Sequence, residues 1–375
     1  MEKFSSRDRQ MMLRAIELAR AGVYTTSPNP NVGCVITNND RIVGEGFHYR
    51  AGQFHAEVNA LRMAGACSVG ATVYVTLEPC AHYGRMPPCA EGLINARVLK
   101  VICAMEDPNP KVSGRGIRML QDAGIEVEVG LFQSDAEALN PGFIKRMKKG
   151  MPFVQLKMAA SLDGRTALSN GKSQWITSLQ ARQDVQVFRA KSDAILSTGK
   201  TVVEDNASLS VRWQDFPKSL QIRYPQSQVR QPIRIILDRS GRLHDGLQLF
   251  KSLGSLLIVD SKQEKINAPV NFNNQLDLSK VFMSLAEQYH INYLWIEAGE
   301  TLASSLIKSG LVDELVFYLA PKIIGSDGRG LFGALGLGDM ADVLELKIKD
   351  VRQIGCDIRI ITTVESKGVV KQEES

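Results

Sequence analysis

Long apolar runs are missing from this chain of 375 residues. No stretch approaches the roughly 18 residues that a membrane helix needs, so no membrane association is expected. The opening stretch, MEKFSSRDRQMMLRAIELARAG, has charges in its middle and reads as an amphipathic helix rather than a signal peptide. Met11, Met12, Ala15, Ile16, Leu18 and Ala19 share one side of it, and Gly22 is its stop. Cysteine is sparse: six, at 34, 67, 80, 89, 103 and 356, without the spacing of a disulfide framework. The chain is therefore expected in the cytoplasm, a reducing compartment where structural disulfides are rare. Excess charge is small as well. A net charge of +5 and a pI near 8.8 suit anionic small molecules, but no dense Lys/Arg stripe with interleaved aromatics marks a nucleic-acid groove. The one basic cluster, KRMKKG at 145–150, reads as a solvated helix end or linker. No G-x-G-x-x-G follows a strand, so the ordinary dinucleotide fingerprint is absent. Internal repeats and low-complexity blocks are absent too.

What is present is an alternation of helix and strand that restarts once. The length, with 44% hydrophobic and 23% charged residues, fits a soluble globular chain of two or three domains. After the opening helix come two β-rich runs in NVGCVITNNDRIVGEGFHY, joined as a hairpin at Asn38-Asn39-Asp40. Then follow the helical HAEVNALRMAG, the strand ATVYVTLEP, a helix from Pro88 to Ala96, the strand VLKVICAM, the helical GRGIRMLQDAG and the strand IEVEVG. Five strands and about four helices predict one layered α/β domain over residues 1–147. Gly150 and Pro152 punctuate the restart. A second α/β domain is expected over 151–366, with strands at PFVQLKMAA, DAILST, IRIILD, SLLIVD, YLWIEAG and ELVFYLAP. Its helices fit around 178–190, 279–289 and 301–310, and residues 367–375 read as a polar, frayed tail.

Chemistry concentrates in the first half. In LEPCAHYGRMPPC, Cys80 and Cys89 each follow a proline; upstream, His55 and Glu57 open the helix HAEVNA. Side chains in the first turn lean back toward the helix N-terminus, so both can address a point beyond it. A second helix starts near Cys89, where its dipole favours a thiolate. One imidazole and two thiolates form a soft mixed set suited to Zn²⁺. Three protein ligands leave a fourth position for water, whose pKa zinc lowers to about 7, and Glu57 can move that water's proton. The H-x-E plus P-C…C set is the signature of zinc-dependent deaminases acting on nucleobases. Alternatives stay open: His82 as a ligand in place of a thiol, or a closed structural zinc completed by Cys67 or His82. Cys34, Cys67, Cys103 and Cys356 sit among apolar residues and are expected to be buried small side chains.

In the nucleic-acid-editing form of this signature the two cysteines lie three positions apart, whereas here they lie nine apart. That long loop, with SPNPNVGCVI, GEGFHYRAGQFHAEVNAL, VTLEPCAHYGRMPPC and DPNPKVSGRG, closely resembles the N-terminal half of the bifunctional riboflavin-biosynthesis deaminase/reductases. QLKMAASLDGRTA, SQWITS, TGKTVVEDNASLSVR, QPIRIILD and IEAGETLASSLIKSGLVDEL resemble that family's reductase half. The resemblance covers about residues 8 to 364. It implies a cytidine-deaminase-like α/β/α domain followed by a dihydrofolate-reductase-like α/β domain, with one Zn²⁺ and NADPH as cofactors. It also implies phosphorylated pyrimidine substrates: deamination of a phosphoribosylamino-substituted diaminopyrimidinone, then hydride transfer to C1′ of the ring-opened sugar.

By the same resemblance, Asn31 is a pyrimidine contact, although bottom-up the Asn-rich stretch fits a turn before a strand equally well. Lys157, Ser173, Arg189, Leu209, Arg212 and Glu297 match substrate positions, and arginine forks suit a ribose phosphate. Ala159, Trp175, Thr201 and Asp205 match cofactor positions. Gly299, Glu300, Thr301, Leu302, Ala303, Ser304 and Ser305 match the NADPH pyrophosphate loop; their residues alone fit either a phosphate cradle at a helix start or a plain strand–helix junction. Arg239 lies where the family approaches the adenosine end of the cofactor, and a cation there suits the 2′-phosphate. Lys157, Asp205 and Glu297 are the ionisable groups that could assist the reduction; which of them, if any, donates a proton stays open. The rival enzyme reading is a nucleoside or tRNA deaminase with an unrelated C-terminal module; the rival from another class is a zinc-stabilised binding protein. The oligomeric state stays open, a homo-oligomer included.

Overall fold

Gly44 and Gly46 show how the first sheet accepts its helices. A Cβ at Gly44 would lie 2.2 Å from the Ala60 carbonyl oxygen, and one at Gly46 would lie 2.4 Å from that of Ala56. Bare backbone therefore lets a helix rest directly on the strand, and alanine at either position would cost about 1–3 kcal/mol in overpacking. This is a computed structural model describing residues 3–83, 87–110, 112–260, 269 and 276–364. The chain divides into two compact units: residues 1–152 with 227–230 and 286–292, and the remainder.

The first unit runs α1 (Ser6–Ala19), β1 (Gly33–Asn38), β2 (Arg41–Phe47), α2 (Ala56–Ala64), β3 (Thr72–Val75), α3 (Cys89–Asn95), β4 (Lys100–Cys103), α4 (Arg115–Asp122), β5 (Glu126–Val129), α5 (Gln133–Leu139) and α6 (Pro141–Lys149). The strand order is β2-β1-β3-β4-β5, with β1 antiparallel to both neighbours and β3, β4 and β5 parallel. Asn39 and Asp40, both at positive φ, form the hairpin turn between β1 and β2. Gly33 faces α1, at Ala15, while Gly44 and Gly46 face α2. Adjacent strand residues point to opposite faces, and Cys34 pairs with Gly46, so α1 and α2 cover opposite sides of the sheet. The core between them includes Met11, Met12, Ala15 and Ile16 of α1 and Ala56, Ala60 and Ala64 of α2. Two helices, α5 and α6, escape the sequence expectation of four: they are short, and Asn140 both ends one and precedes the other, with Pro141 at the first position of α6. KRMKKG is the last turn of α6, closed by Gly150 in the left-handed region.

The second unit runs β6 (Phe153–Ser161), β7 (Arg165–Ala167), α7 (Leu179–Lys191), β8 (Ala194–Thr198), α8 (Gly199–Asp205), α9 (Lys218–Arg223), β9 (Ile233–Leu237), α10 (Gln248–Lys251), β10 (Leu256–Val259), α11 (Leu278–Gln288), β11 (Tyr293–Glu297), α12 (Glu300–Lys308), β12 (Glu314–Ala320), β13 (Arg329–Gly330), β14 (Leu346–Ile354) and β15 (Asp357–Val364). The last three residues of α11 belong to the first unit. The main sheet has the order β10-β9-β8-β11-β6-β12-β15-β14. Its first six strands are parallel to one another, and β15 is antiparallel to both β12 and β14. Along β6, Val154, Leu156, Met158 and Ala160 are buried on one face, while Gln155, Lys157 and Ala159 lie half-buried on the other. The β14–β15 hairpin was not expected from sequence. A bulge between Ile348 and Asp350 breaks the alternation of LKIKDVRQI, and most of β14 is exposed, so little apolar periodicity survives. Residues 365–375, and with them the expected polar tail, lie outside the described residues.

Candidate active sites

His55 is the residue that caps the N-terminus of α2, yet its side chain makes no capping hydrogen bond. The imidazole turns instead to two sulfurs, with Nδ1 3.3 Å from Cys89 Sγ and 3.7 Å from Cys80 Sγ. Cys80 follows the end of β3, and Cys89 is the first residue of α3. The free N–H of Cys89 at that helix start donates to Cys80 Sγ at 3.3 Å. The three ligand atoms lie within 4.8 Å of one another. Donors bonded to one tetrahedral zinc at about 2.0–2.3 Å sit about 3.5 Å apart, which the two His–Cys separations match. Among the described residues the cluster takes in neither Cys67 nor His82; both are exposed. Residues 84–86, inside the loop between the cysteines, lie outside the described residues.

The charges of this corner follow from burial and hydrogen bonding. The Cys80 thiol is held down at about 4, chiefly by hydrogen bonding from Cys89 and also from His55, against the opposing effect of burial. Cys89 is pushed up by its bond to Cys80 and by burial. Glu57, in the first turn of α2, is 3% exposed, and its Oε2 has no hydrogen-bond partner among the described residues. Burial, aided by the charge on Cys80, pushes its carboxyl up to about 7. An oxygen buried without a partner beside soft donors suits a cation and a water, and the residues present therefore fit zinc.

Two neighbours of this corner went unread in the sequence. His48 is buried, its ring edge-on to His55 at 5.2 Å between centroids. Nδ1 faces the Phe54 carbonyl at 3.1 Å and so carries the proton; Nε2 then accepts from Asn29 Nδ2 at 3.1 Å. Burial lowers its pKa and keeps it neutral. Glu78 is the other: its carboxylate accepts from the backbone N–H groups of Asp107, Gly114, Gly116 and Ile117. It ties the strand end that carries Cys80 to the start of α4, where a Cβ on Gly116 would lie 1.9 Å from the Pro79 carbonyl oxygen. A histidine amid aromatics in GFHYR and a glutamate ending a buried strand were the available signals. Of the remaining cysteines, Cys34 and Cys103 are buried as expected, but Cys67 and Cys356 are exposed. They occupy a short 3-10 turn and the β14–β15 turn, where apolar neighbours in sequence are not neighbours in a core. Asn31 is buried in a structural network. Its N–H donates to Asn140 Oδ1, its Nδ2 to the Leu139 carbonyl, and Thr26 donates to its Oδ1.

In the second unit, polar groups gather where the parallel strands end, the usual position for ligands in such sheets. Lys157 on β6 is in register with Glu297 on β11. Arg189 from α7 grips Glu297 with Nε at 2.6 Å from Oε1 and Nη2 at 2.8 Å from Oε2, while Nη1 donates to the Ser210 carbonyl. Trp295 Nε1 donates to Glu297 Oε1 at 2.9 Å, and Ser197 Oγ donates to the Glu297 carbonyl at 2.7 Å. Burial works against the Glu297 charge, but Arg189 and Lys157 outweigh it and hold the carboxyl at about 2. Burial pulls the Lys157 ammonium down, opposed by Glu297.

Around this pair lie two helix starts. Gly299 opens α12 without a side-chain cap, leaving the N–H groups of its first turn available. Thr198 caps α8 by accepting from the Thr201 N–H. Leu302 and Ala303 send their side chains into the core, Ser304 Oγ donates to the Glu300 carbonyl, and Ser305 Oγ donates to the Thr301 carbonyl. Trp175 is 63% exposed beneath the Arg182 guanidinium, not part of the core, with Ser173 half-buried nearby in sequence. Gln174 Nε2 reaches Asp205 at 3.4 Å, and Ala159 is half-buried on β6. Leu209 is buried at positive φ, so it can offer a ligand only backbone; Arg212 pairs with Asp215 at 2.6 Å. Arg239 is exposed just past β9, whose Leu237 pairs with Thr198.

Comparisons with known proteins agree with both halves. Residues 5–105 match the cytidine and deoxycytidylate deaminase zinc-binding region, and residues 152–360 match the RibD C-terminal domain. The chain is 51% identical over 374 residues to riboflavin biosynthesis protein RibD of Haemophilus influenzae, covering 98% of this chain and 100% of that one. Among solved structures, Acinetobacter baumannii RibD is 45% identical with a TM-score of 0.89, covering 96% of this chain and 99% of that one. The diaminohydroxyphosphoribosylaminopyrimidine deaminase/5-amino-6-(5-phosphoribosylamino)uracil reductase of Thermotoga maritima is 31% identical with a TM-score of 0.81, over the same shares of the two chains.

Proposed function

The chain belongs to the bifunctional riboflavin-biosynthesis deaminase/reductases, and from that premise we propose how each half does its work. It is a zinc-dependent deaminase and an NADPH-dependent reductase. We assign the deaminase to residues 1–147 and the reductase to 151–366, in keeping with the spans of the two family matches. The proposed first substrate is 2,5-diamino-6-(5-phosphoribosylamino)pyrimidin-4(3H)-one, a free phosphorylated pyrimidine rather than a nucleic acid; the Thermotoga maritima relative bears an activity name of this kind. NADPH and free thiols suit a reducing compartment, so the reactions are assigned to the cytoplasm.

The buried carboxylate of Glu57, with one oxygen unpartnered among the described residues beside three converging soft donors, carries the deaminase assignment. His55, Cys80 and Cys89 would hold Zn²⁺, which when bound supplies a water acidified to near neutrality. Glu57 takes a proton from the attacking water and passes protons to the ring nitrogen and to the departing amine. The carbon gains a carbonyl oxygen, and ammonia leaves. Asn31 holds the loop at its own position and keeps a second amide hydrogen for a pyrimidine.

In the reductase half, NADPH supplies the hydride that reduces C1′ of the opened sugar. The N–H groups after Gly299, with the Thr301 hydroxyl, suit the cofactor pyrophosphate, and Ala159, Trp175, Thr201, Asp205 and Arg239 are assigned to the rest of it. Ser173, Leu209 and Arg212 are assigned to the substrate, with Lys157, Arg189 and Glu297 at its reacting end. Hydride transfer to a C=N carbon leaves a nitrogen in need of a proton. Glu297 is held as an anion by Arg189, so Lys157, the cation in register with it, is assigned as the group that carries that proton.

The test is incubation with the diaminopyrimidinone ribotide, with and without NADPH. Ammonia is released in both cases, and NADPH is oxidised only after deamination. Glu57→Gln retains zinc and lowers ammonia release by about 10²–10⁴-fold. Ammonia release from cytidine or tRNA instead, or full activity in Glu57→Gln, would overturn the assignment.

A further inference from the structure

Glu297 has about four acceptor directions on its two oxygens. Among the described residues three are filled: Oε1 accepts from Trp295 Nε1 and Arg189 Nε, and Oε2 accepts from Arg189 Nη2. One direction remains, on Oε2. Trp295 is fully buried, and its ring stacks on Phe188 with 4.9 Å between centroids and 19° between planes. The indole N–H therefore has a fixed position, two residues before Glu297 on the same face of β11. Arg189 alone would leave a second lone pair open on Oε1; the indole closes it.

We propose that Trp295 is a positioning residue of the reductase: by occupying Glu297 Oε1 it leaves a single Oε2 lone pair to accept a hydrogen bond from the ribosylamino-pyrimidine. This rests on the assignment of Glu297 to the substrate site. A carboxylate fixed this way prefers one orientation of the substrate's N–H or hydroxyl donor, and so one face of C1′ toward the hydride. Phe188 and Trp295 are thus more than core filling; their stack sets the angle at which the acid is held.

The experiment is a double-mutant cycle read in full-length protein with pre-deaminated substrate and NADPH. Trp295→Phe keeps a ring against Phe188 and removes the N–H. It is expected to lower kcat for reduction about ten-fold, leaving NADPH affinity and the deaminase rate of the same chain unchanged. In the Glu297→Gln background, Trp295→Phe is expected to cost less than about two-fold further, because the acceptor it acts through is already altered. Fully additive losses would assign Trp295 to packing alone and overturn the proposal, as would an unchanged rate in Trp295→Phe. A fully active Glu297→Gln would overturn the underlying substrate-site assignment instead, which separates the two failures. A second measurement needs no change at Trp295. Its indole N–H resonance should move strongly upfield in Glu297→Gln, and a resonance that stays put overturns the proposal whether or not Trp295→Phe folds.

Discussion

The zinc corner of the first unit and the strand-end cluster of the second solve the same problem in different ways. In the first, three donors and an acid come from two helix starts and one strand end within 35 residues of sequence, and their soft, converging atoms suit a cation. In the second, Lys157, Arg189, Trp295 and Glu297 come from three elements spread over 141 positions, and Arg189 and Trp295 already hold the Glu297 carboxylate. The first site presents its donors to a partner from outside the chain; the second is held by ion pairing among its own side chains. Removing a single group should therefore have opposite reach in the two units.

The largest effect is expected from Cys89→Ser. It removes one of three proposed ligands and the thiol that holds Cys80 as a thiolate. Ammonia release should fall at least a thousandfold with loss of zinc measured by mass spectrometry, while NADPH oxidation with pre-deaminated substrate stays within about two-fold. Loss of both activities together would erase the contrast between the sites. A chelator strong enough to strip the metal should reproduce the same split.

That contrast also governs what could be read from the sequence. H-A-E and the two P-C pairs are local, and soft ligands at helix starts have few other uses, so the convergence of His55, Cys80 and Cys89 was legible in the sequence. The sheet strands were legible where burial gives short apolar runs, as in β8, β9 and β11, and illegible in β14, which is exposed and bulged. Long-range pairing was not legible at all. Arg189 reads in sequence as a fork for phosphate, and only the fold turns it onto Glu297 108 positions away. Trp295 lies in the expected strand YLWIEAG and is buried; its N–H gains a role because the residue two positions on is an acid. His48 and Glu78 were missed for the same reason: their partners, Asn29 and the backbone around Gly116, are remote in sequence or carry no side-chain signal.

A middle-sized effect separates the units by pH. Glu297 sits at about 2 in the folded chain against an ordinary 4.5, and its side chain is only 15% exposed. Because the folded value is depressed, its contribution to stability is present above pH 4.5 and is lost as pH falls through that value toward 2. The shift corresponds to about 3 kcal/mol. Urea unfolding of metal-stripped protein, followed at the tryptophans, should show the second unit weakening between pH 5 and 3, and Glu297→Gln should flatten that slope. Equal slopes in both proteins would mean that Arg189 does not hold the acid as described.

The smallest effect tests whether anything in the second unit waits for its ligand as the zinc corner does. Arg239 is exposed past β9, in line with the helix start at Gly199, and is the cation assigned to the 2′-phosphate of the cofactor. An exposed charge in water, screened by salt, contributes at most about 1 kcal/mol, or a factor of about five in affinity. Arg239→Ser should therefore weaken NADPH binding about two- to five-fold at low salt, less at 0.5 M salt, and leave NADH binding unchanged, because NADH has no 2′-phosphate to lose. The pairing of cofactors makes the measurement specific: damage to the fold would weaken both alike. Equal losses for NADPH and NADH, or a loss indifferent to salt, would remove Arg239 from the cofactor site and leave the second unit wholly preorganised.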